Sequence, residues 1–350
     1  MTTCRLAEEY LWDYIVRERN SYTRISRKRV REAASGYLFI APWMAGFLLF
    51  TLGPMTASVV LSFCRYDPSA VPGRLEWVGL SNYIRMFTED PLFWKSLSVT
   101  LRYSLISIPL QLAGGLALAL LLNRHVRGIS FYRTAFYLPM VLGGVAISLL
   151  WLWLFSPSQG LINIGLAKVF DFLGQDSLMA HSLAWPLQAL FGKAGADSLL
   201  PGWISSERGA LNSLILMSCW SLGGSMIINL AGLQAIPKTY YEAAEIDGAG
   251  RWTQFWRVTI PLLSPTIFFN LVMGVIGSFQ VFTQGLIMTA GGPNNSTCFY
   301  VLNTYRNAFE FFRMGYASAL AWFLFLIILS LTLLVVRSSS MWVFYEAKRR

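Results

Sequence analysis

Six long apolar runs constrain this chain more than any other feature. They are Tyr37–Cys64, Leu97–Leu122, Thr134–Ser156, Gly209–Gln234, Ser264–Met288 and Tyr316–Val336. Each is long enough to cross about 30 Å of hydrocarbon, which takes roughly 20 residues of α-helix. Lipid offers no hydrogen bonds to the backbone, so a spanning run must satisfy its own N–H and C=O groups as a helix. The expected fold is an all-α membrane protein with six transmembrane helices. Composition agrees: 55% of residues are hydrophobic and 13% charged, too little polar surface for a water-soluble domain. Gly53, Pro54, Pro109, Gly114, Gly115, Pro139, Gly143, Gly144, Gly223 and Gly224 lie inside the runs. Spanning helices tolerate such residues, and small ones allow close packing.

Charge gives the orientation. With the N-terminus inside, the inner segments 1–36, 123–133, 235–263 and 337–350 hold 18 Lys and Arg. The outer segments 65–96, 157–208 and 289–315 hold 9, and Arg102 lies within the second run. Acidic residues divide evenly between the sides, so the whole excess of positive charge is inside. That asymmetry predicts both termini in the cytoplasm. The net charge of +10 is therefore loop bias and points to no nucleic acid. Residues 1–36 read as a basic cytoplasmic segment, with Arg24, Arg27, Lys28, Arg29 and Arg31 beside the headgroups of membrane lipid. They are not a secretory signal, since the first apolar run begins only at Tyr37 and exceeds an h-region of about 7–15 residues. The domain reading is 1–36, then a transmembrane domain over 37–336, then a cytoplasmic tail over 337–350.

The chemistry of enzymes is missing from the sequence. No GxxxxGK[ST] loop, HExxH or CxxC occurs. Cys4, Cys64, Cys219 and Cys298 are scattered, and His125 and His181 fall on opposite sides of the expected membrane. No catalytic residue, metal or cofactor is expected. Carriers driven by protons or ions keep an intramembrane acid or lysine on the path. Here Arg102 is the lone ionisable residue in the runs. The pattern describes a path for an uncharged solute, with energy supplied from elsewhere.

Between the fourth and fifth runs lies a charged and aromatic segment, Pro237 to Pro261. It reads as two short helices around a glycine turn at Gly248 and Gly250. Thr239 and Glu242 have capping-box spacing. Trp252, Phe255, Trp256 and Thr259 recur at helical spacing, and Pro261 and Pro265 are expected to stop the second piece.

Glu242-Ala243-Ala244, Gly248 and Val258-x-Ile260-Pro261 resemble the EAA loop of permease subunits in binding-protein-dependent ABC importers. Val258 and Ile260 replace the family's Ile and Leu. Asp247-Gly248-Ala249 and Pro261-Leu262-Leu263 extend the match. Leu138-Pro139, Leu230 to Pro237, Gly291 to Asn295 and Gly315 to Ala319 look like the carbohydrate-uptake, maltose-type branch. The resemblance covers roughly 37–336; the outer loop 157–208 is longer than usual for it. It implies a multi-pass subunit of the bacterial plasma (inner) membrane, paired with a second homologous permease. It also implies two ATP-binding subunits docked on the EAA loops, and an extracytoplasmic solute-binding protein that delivers a sugar or oligosaccharide. ATP hydrolysis would then reside in a partner. The docking residues by this resemblance are Glu242, Ala243, Ala244, Asp247, Gly248 and Pro261. For Glu242 alone, spacing leaves capping and docking equally open.

A helical projection of the fifth run at 100° per residue gathers Asn270, Met273, Gly274, Gly277, Ser278, Gln280, Val281 and Gln284 on one side. The fourth run gathers Met217, Ser218, Ser221, Gly224, Ser225, Asn229 and Gly232. Small polar faces commonly serve helix packing. Amide and hydroxyl groups of this size also suit sugar hydroxyls. The expected pathway residues are Ser221, Gly224, Ser225, Asn270, Gly274, Ser278, Gln280 and Gln284, with Trp220 and Phe279 set aside as packing or lipid-facing. A glycerol-phosphate-like solute, and a carrier working alone, are the alternatives.

Overall fold

The computed structural model describes residues 27–68, 74–124, 127–174, 177–195 and 198–344. Cys4, Arg24 and His125 lie outside the described residues, as do the side chains of Arg27, Lys28, Arg29 and Arg31 and residues 345–350. The chain divides into two units, 1–60 and 61–350.

In the first unit, α1 (Arg27–Phe47) passes through a π-helical turn, Leu48–Leu52, into α2 (Gly53–Ser62). The Gly53 N–H donates to Leu48 O, five residues back. The wider turn makes room for the ring of Pro54, which has no N–H to donate.

The second unit opens with a feature absent from an all-α expectation. Strand β1 (Cys64–Asp67) pairs antiparallel with β2 (Arg74–Trp77), Cys64 facing Trp77. The Asn82 amide donates to Ser62 O at 2.9 Å and to Cys64 O at 3.0 Å, capping the chain where it leaves the helix. The first apolar run therefore ends as helix at Ser62, not Cys64. Helix α3 (Ser81–Thr88) leads to α4 (Pro91–Leu122), started by Asp90, whose carboxylate accepts from the Leu92 N–H at 2.9 Å.

The remaining helices are α5 (Ile129–Val141), α6 (Gly144–Leu154), α7 (Leu161–Leu173), α8 (Leu178–Phe191), α9 (Glu207–Ser218), α10 (Gly223–Ala235), α11 (Lys238–Ile246), α12 (Arg251–Gln254), α13 (Ile260–Phe279), α14 (Tyr300–Tyr305) and α15 (Met314–Trp342). Among the described residues, four helical stretches are long and apolar enough to cross a bilayer: Glu32–Ser62, Pro91–Leu122, Arg251–Phe279 and Met314–Trp342. Two bent pairs bring the total to as many as six if each is one crossing.

Those pairs put a break inside two of the expected spans. The run 134–156 is α5 and α6 meeting at 99°. Leu142 and Gly143 both take extended backbone there, so the helical hydrogen bonds stop and restart. The run 209–234 bends by 42° at Leu222, directly after a tighter 3₁₀ turn at Cys219–Ser221. Gly223 follows this bend because an added Cβ would strike Phe136 O of α5. The run 264–288 is corrected as well: α13 ends at Phe279, and Gln280 turns away before a π turn at Gly285–Thr289.

The core has three main clusters. Trp151, Phe155, Phe191 and Trp203 pack in the first; Phe93, Phe279, Tyr300 and Leu320 in the second; Leu122, Met226, Leu230 and Leu263 in the third. Polar ties join α14 and α15 to α4 and its N-cap. The Tyr300 N–H donates to Thr100 Oγ1 at 2.9 Å, and the Tyr316 hydroxyl donates to Asp90 Oδ2 at 2.6 Å. Burial pushes the Tyr300 phenol above its ordinary pKa, with Tyr316 and Asp90 adding to the shift, so it remains a donor, here to Leu320 O.

Candidate functional site

Helices α4, α9, α10 and α13 surround two adjoining cavities of about 210 and 390 Å³. Gln111, Ser221, Met273 and Gly274 line both. Tyr103, Ser218, Gly277, Ser278 and Gln284 also line the first; Gly224, Ser225 and Asn270 also line the second, beside Met140 and Phe269. No acid, lysine, arginine or histidine lines either cavity. The smaller cavity offers hydroxyls, amides and thioethers, and the larger adds Ile108, Leu112, Leu222, Ile228 and Phe269. Such a lining can bind an uncharged solute without holding a counter-charge in a low dielectric.

The arrangement follows from helical spacing on α13. Gly274, Gly277 and Ser278 turn toward the cavity, while Val275 and Phe279 enter the second core cluster. The spacing holds only while the helix lasts. Gln280 is exposed and lines neither cavity. Gln284 reaches the cavity from beyond the break. Asn270 has a second attachment: its amide donates to Asn229 Oδ1 at 3.2 Å, and Asn229 donates to Ser225 Oγ at 3.3 Å. This buried pair ties α10 to α13 at the cavity edge; such bonds contribute about 0.6 kcal/mol in membranes. Phe279 is packed in the core, and Trp220 is half-exposed beside Trp151.

Tyr103 and Gln111 were not among the expected residues. Their signal is a stripe on the second run, Tyr103, Ser107, Gln111 and Gly114, repeating every three or four residues among leucines.

Pro237 to Pro261 forms a compact turn. Helix α11 ends in a Schellman motif: the Ala249 N–H donates to Ala244 O at 2.9 Å and the Gly248 N–H to Glu245 O at 3.0 Å. Gly248 has φ +75°, the left-handed conformation that this motif needs. The Tyr241 hydroxyl and Thr259 Oγ1, 3.0 Å apart, link the two arms. Glu242, Ala243, Asp247 and Gly248 are exposed, while Ala244 and Pro261 are half-buried. Ile246, which the sequence did not single out, is 88% exposed at the tip; its signal is a lone aliphatic residue among charges.

Two local expectations are corrected. Helix α11 begins at Lys238 with Pro237 at its N-cap and no side-chain cap. Thr239 is already inside the helix, and Pro237 has no N–H for Glu242 to accept, so no capping box forms. Nor do Pro261 and Pro265 stop the second arm. Helix runs from Arg251 to Phe279 through a π turn at Phe255–Thr259, where the Ile260 N–H donates five residues back, to Phe255 O. The device at Pro54 recurs here and accommodates Pro261.

Apolar helices around an uncharged cavity, with an exposed loop between the fourth and fifth runs, define a membrane permease. The chain belongs to the family of binding-protein-dependent transport system inner membrane components, whose model matches residues 111–341; it is an ABC transporter permease. It is 42% identical over 92% of its length, and 96% of the relative's, to the probable ABC transporter permease protein YesP of Bacillus subtilis. It is 30% identical, over 86% of this chain and 92% of the other, to the probable starch degradation products transport system permease protein AmyD of Thermoanaerobacterium thermosulfurigenes. Its fold matches a chain from the crystal structure of a bacterial ABC transporter involved in import of the acidic polysaccharide alginate. The TM-score is 0.71 at 22% identity, covering 90% of this chain and 98% of that one.

Proposed function

We propose that this subunit forms half of the translocation pathway of an ATP-driven importer for a sugar or oligosaccharide. It crosses the membrane six times with both termini cytoplasmic, over a transmembrane domain of 37–336. The pathway runs by Ser221, Gly224, Ser225, Gly274, Ser278 and Gln284, with Tyr103 and Gln111 added from α4. Glu242, Ala243, Ala244, Asp247, Gly248 and Pro261 dock a separate ATPase subunit. A second permease completes the path, and an external binding protein delivers the solute. The observation that carries this reading is a pair of adjoining cavities without a charged side chain. The smaller is lined by the hydroxyls and amides of Tyr103, Gln111, Ser218, Ser278 and Gln284 and the larger is mostly apolar, a mixture that suits the hydroxyls and the apolar faces of a sugar. The starch-product relative supports a saccharide.

The test is reconstitution in liposomes with the partner permease, the ATPase subunits and the binding protein. A neutral oligosaccharide bound by that binding protein should enter only with ATP and all partners present. Uptake by this chain alone, down a gradient and without the ATPase, would make it a secondary carrier.

A further inference from the structure

The segment between α6 and α9 contributes nothing to the cavities. Its helices α7 and α8 pack through Phe170, Ala180 and Ala184. Its base is tied by the Trp203 Nε1–H, which donates to Asn163 Oδ1 at 2.7 Å, and by the Asn163 amide, which donates to Pro157 O at 3.0 Å. The rest of the surface is of another kind. Phe172 is 89% exposed, Leu178 90% and Trp185 73%, with Ile164, Met179 and Leu183 also exposed. Within the two helices Lys168 and Asp171 are the only charged residues. Water does not sustain so large an apolar face on so few charges.

Two observations identify what covers it. Helix α6, part of a bent spanning pair, feeds directly into the hairpin and exposes Val145, Leu149, Leu150 and Trp153. The apolar surface is thus continued from a spanning segment. Neither α7 nor α8 carries an arginine, a residue enriched in protein interfaces, while an exposed tryptophan suits the headgroup boundary.

We propose that α7 and α8 lie in the interfacial zone of the bilayer, with Phe172, Leu178, Met179 and Trp185 immersed at the acyl-chain boundary. The occupant of this face is phospholipid, held by apolar area and not by headgroup charge. That the zone belongs to the outer leaflet rests on the topology proposed above.

The experiment uses the assembled transporter in nanodiscs, with the native cysteines replaced and an environment-sensitive fluorophore on Phe172→Cys or Leu178→Cys. A shallow nitroxide on the lipid acyl chain should remove most of the fluorescence, and aqueous iodide little of it. Strong quenching by iodide would overturn the proposal by showing a water-facing hairpin. Quenching by neither would overturn it in favour of a protein partner. Exchange of anionic for zwitterionic lipid should leave the nitroxide result unchanged; loss of quenching would overturn the apolar basis. Labelling of Ser158→Cys, exposed in the turn before α7 and outside both hairpin helices, with a membrane-impermeant maleimide reads the sidedness separately. Reaction from the cytoplasmic face alone would refute the topology and the outer assignment, whatever the lipid quenching shows.

Discussion

At Gly277 an added Cβ meets no atom within 4 Å, although the residue lines the smaller cavity. Space there is unused by packing, so Gly277→Leu would project into the cavity without disturbing a neighbour. Leucine also favours the helix by roughly 1 kcal/mol over glycine, and the variant should fold and assemble as the parent does. Transport by the reconstituted complex should nevertheless fall to a small fraction of the parent's, with solute binding to the external protein unchanged. Gln280→Leu, three residues on and lining neither cavity, should transport normally. Equal effects from both would mean that this cavity is not the path.

Helix α11 turns on whether Glu242 is used for its charge. With no capping box in place, Glu242→Gln removes charge and little else. An ion pair buried in a partner's socket is worth about 2 kcal/mol or more on truncation, roughly thirtyfold in Kd. Glu242→Gln should weaken ATPase binding to that extent or uncouple hydrolysis from uptake, as read by co-purification and by ATP consumed per solute. Parent-like coupling would leave the carboxylate without a docking role. The turn itself was legible because Gly248, six residues after Glu242, marks the left-handed position at which the helix ends. The apolar runs were legible because lipid filters composition. Their internal geometry was not, since hydropathy is blind to direction. Leu142 and Gly143 read as ordinary span residues, yet their extended backbone turns the chain by 99°. Proline was misread at Pro261 because a π turn five residues long leaves no mark in the pattern. Gln280 was misplaced for a related reason: a projection at constant angle assumes a helix that has already ended.

Over the whole molecule, the charge asymmetry of the loops makes a prediction independent of any cavity. Reporter fusions at positions 180 and 300 should give an external signal, and fusions at 128, 248 and 350 a cytoplasmic one. A cytoplasmic signal at 180 would reverse the hairpin and the pathway together. The two bent pairs matter for this measurement. If α5 and α6 re-enter instead of crossing, every reporter after position 156 changes side, so the experiment counts crossings as well as orienting them.

The continuity of helix from Arg251 to Phe279 has a mechanical consequence. Thr259, hydrogen-bonded to Tyr241 of the exposed turn, sits at the foot of the same rod that carries Gly277 and Ser278. At 1.5 Å per residue the arm from Thr259 to Ser278 is about 29 Å long. A tilt of roughly 10° at the foot sweeps the far end through about 5 Å, close to one helical turn. Such a stroke would open or shut a gap of sugar-ring size without unwinding a single residue, and the turn would serve as the tiller.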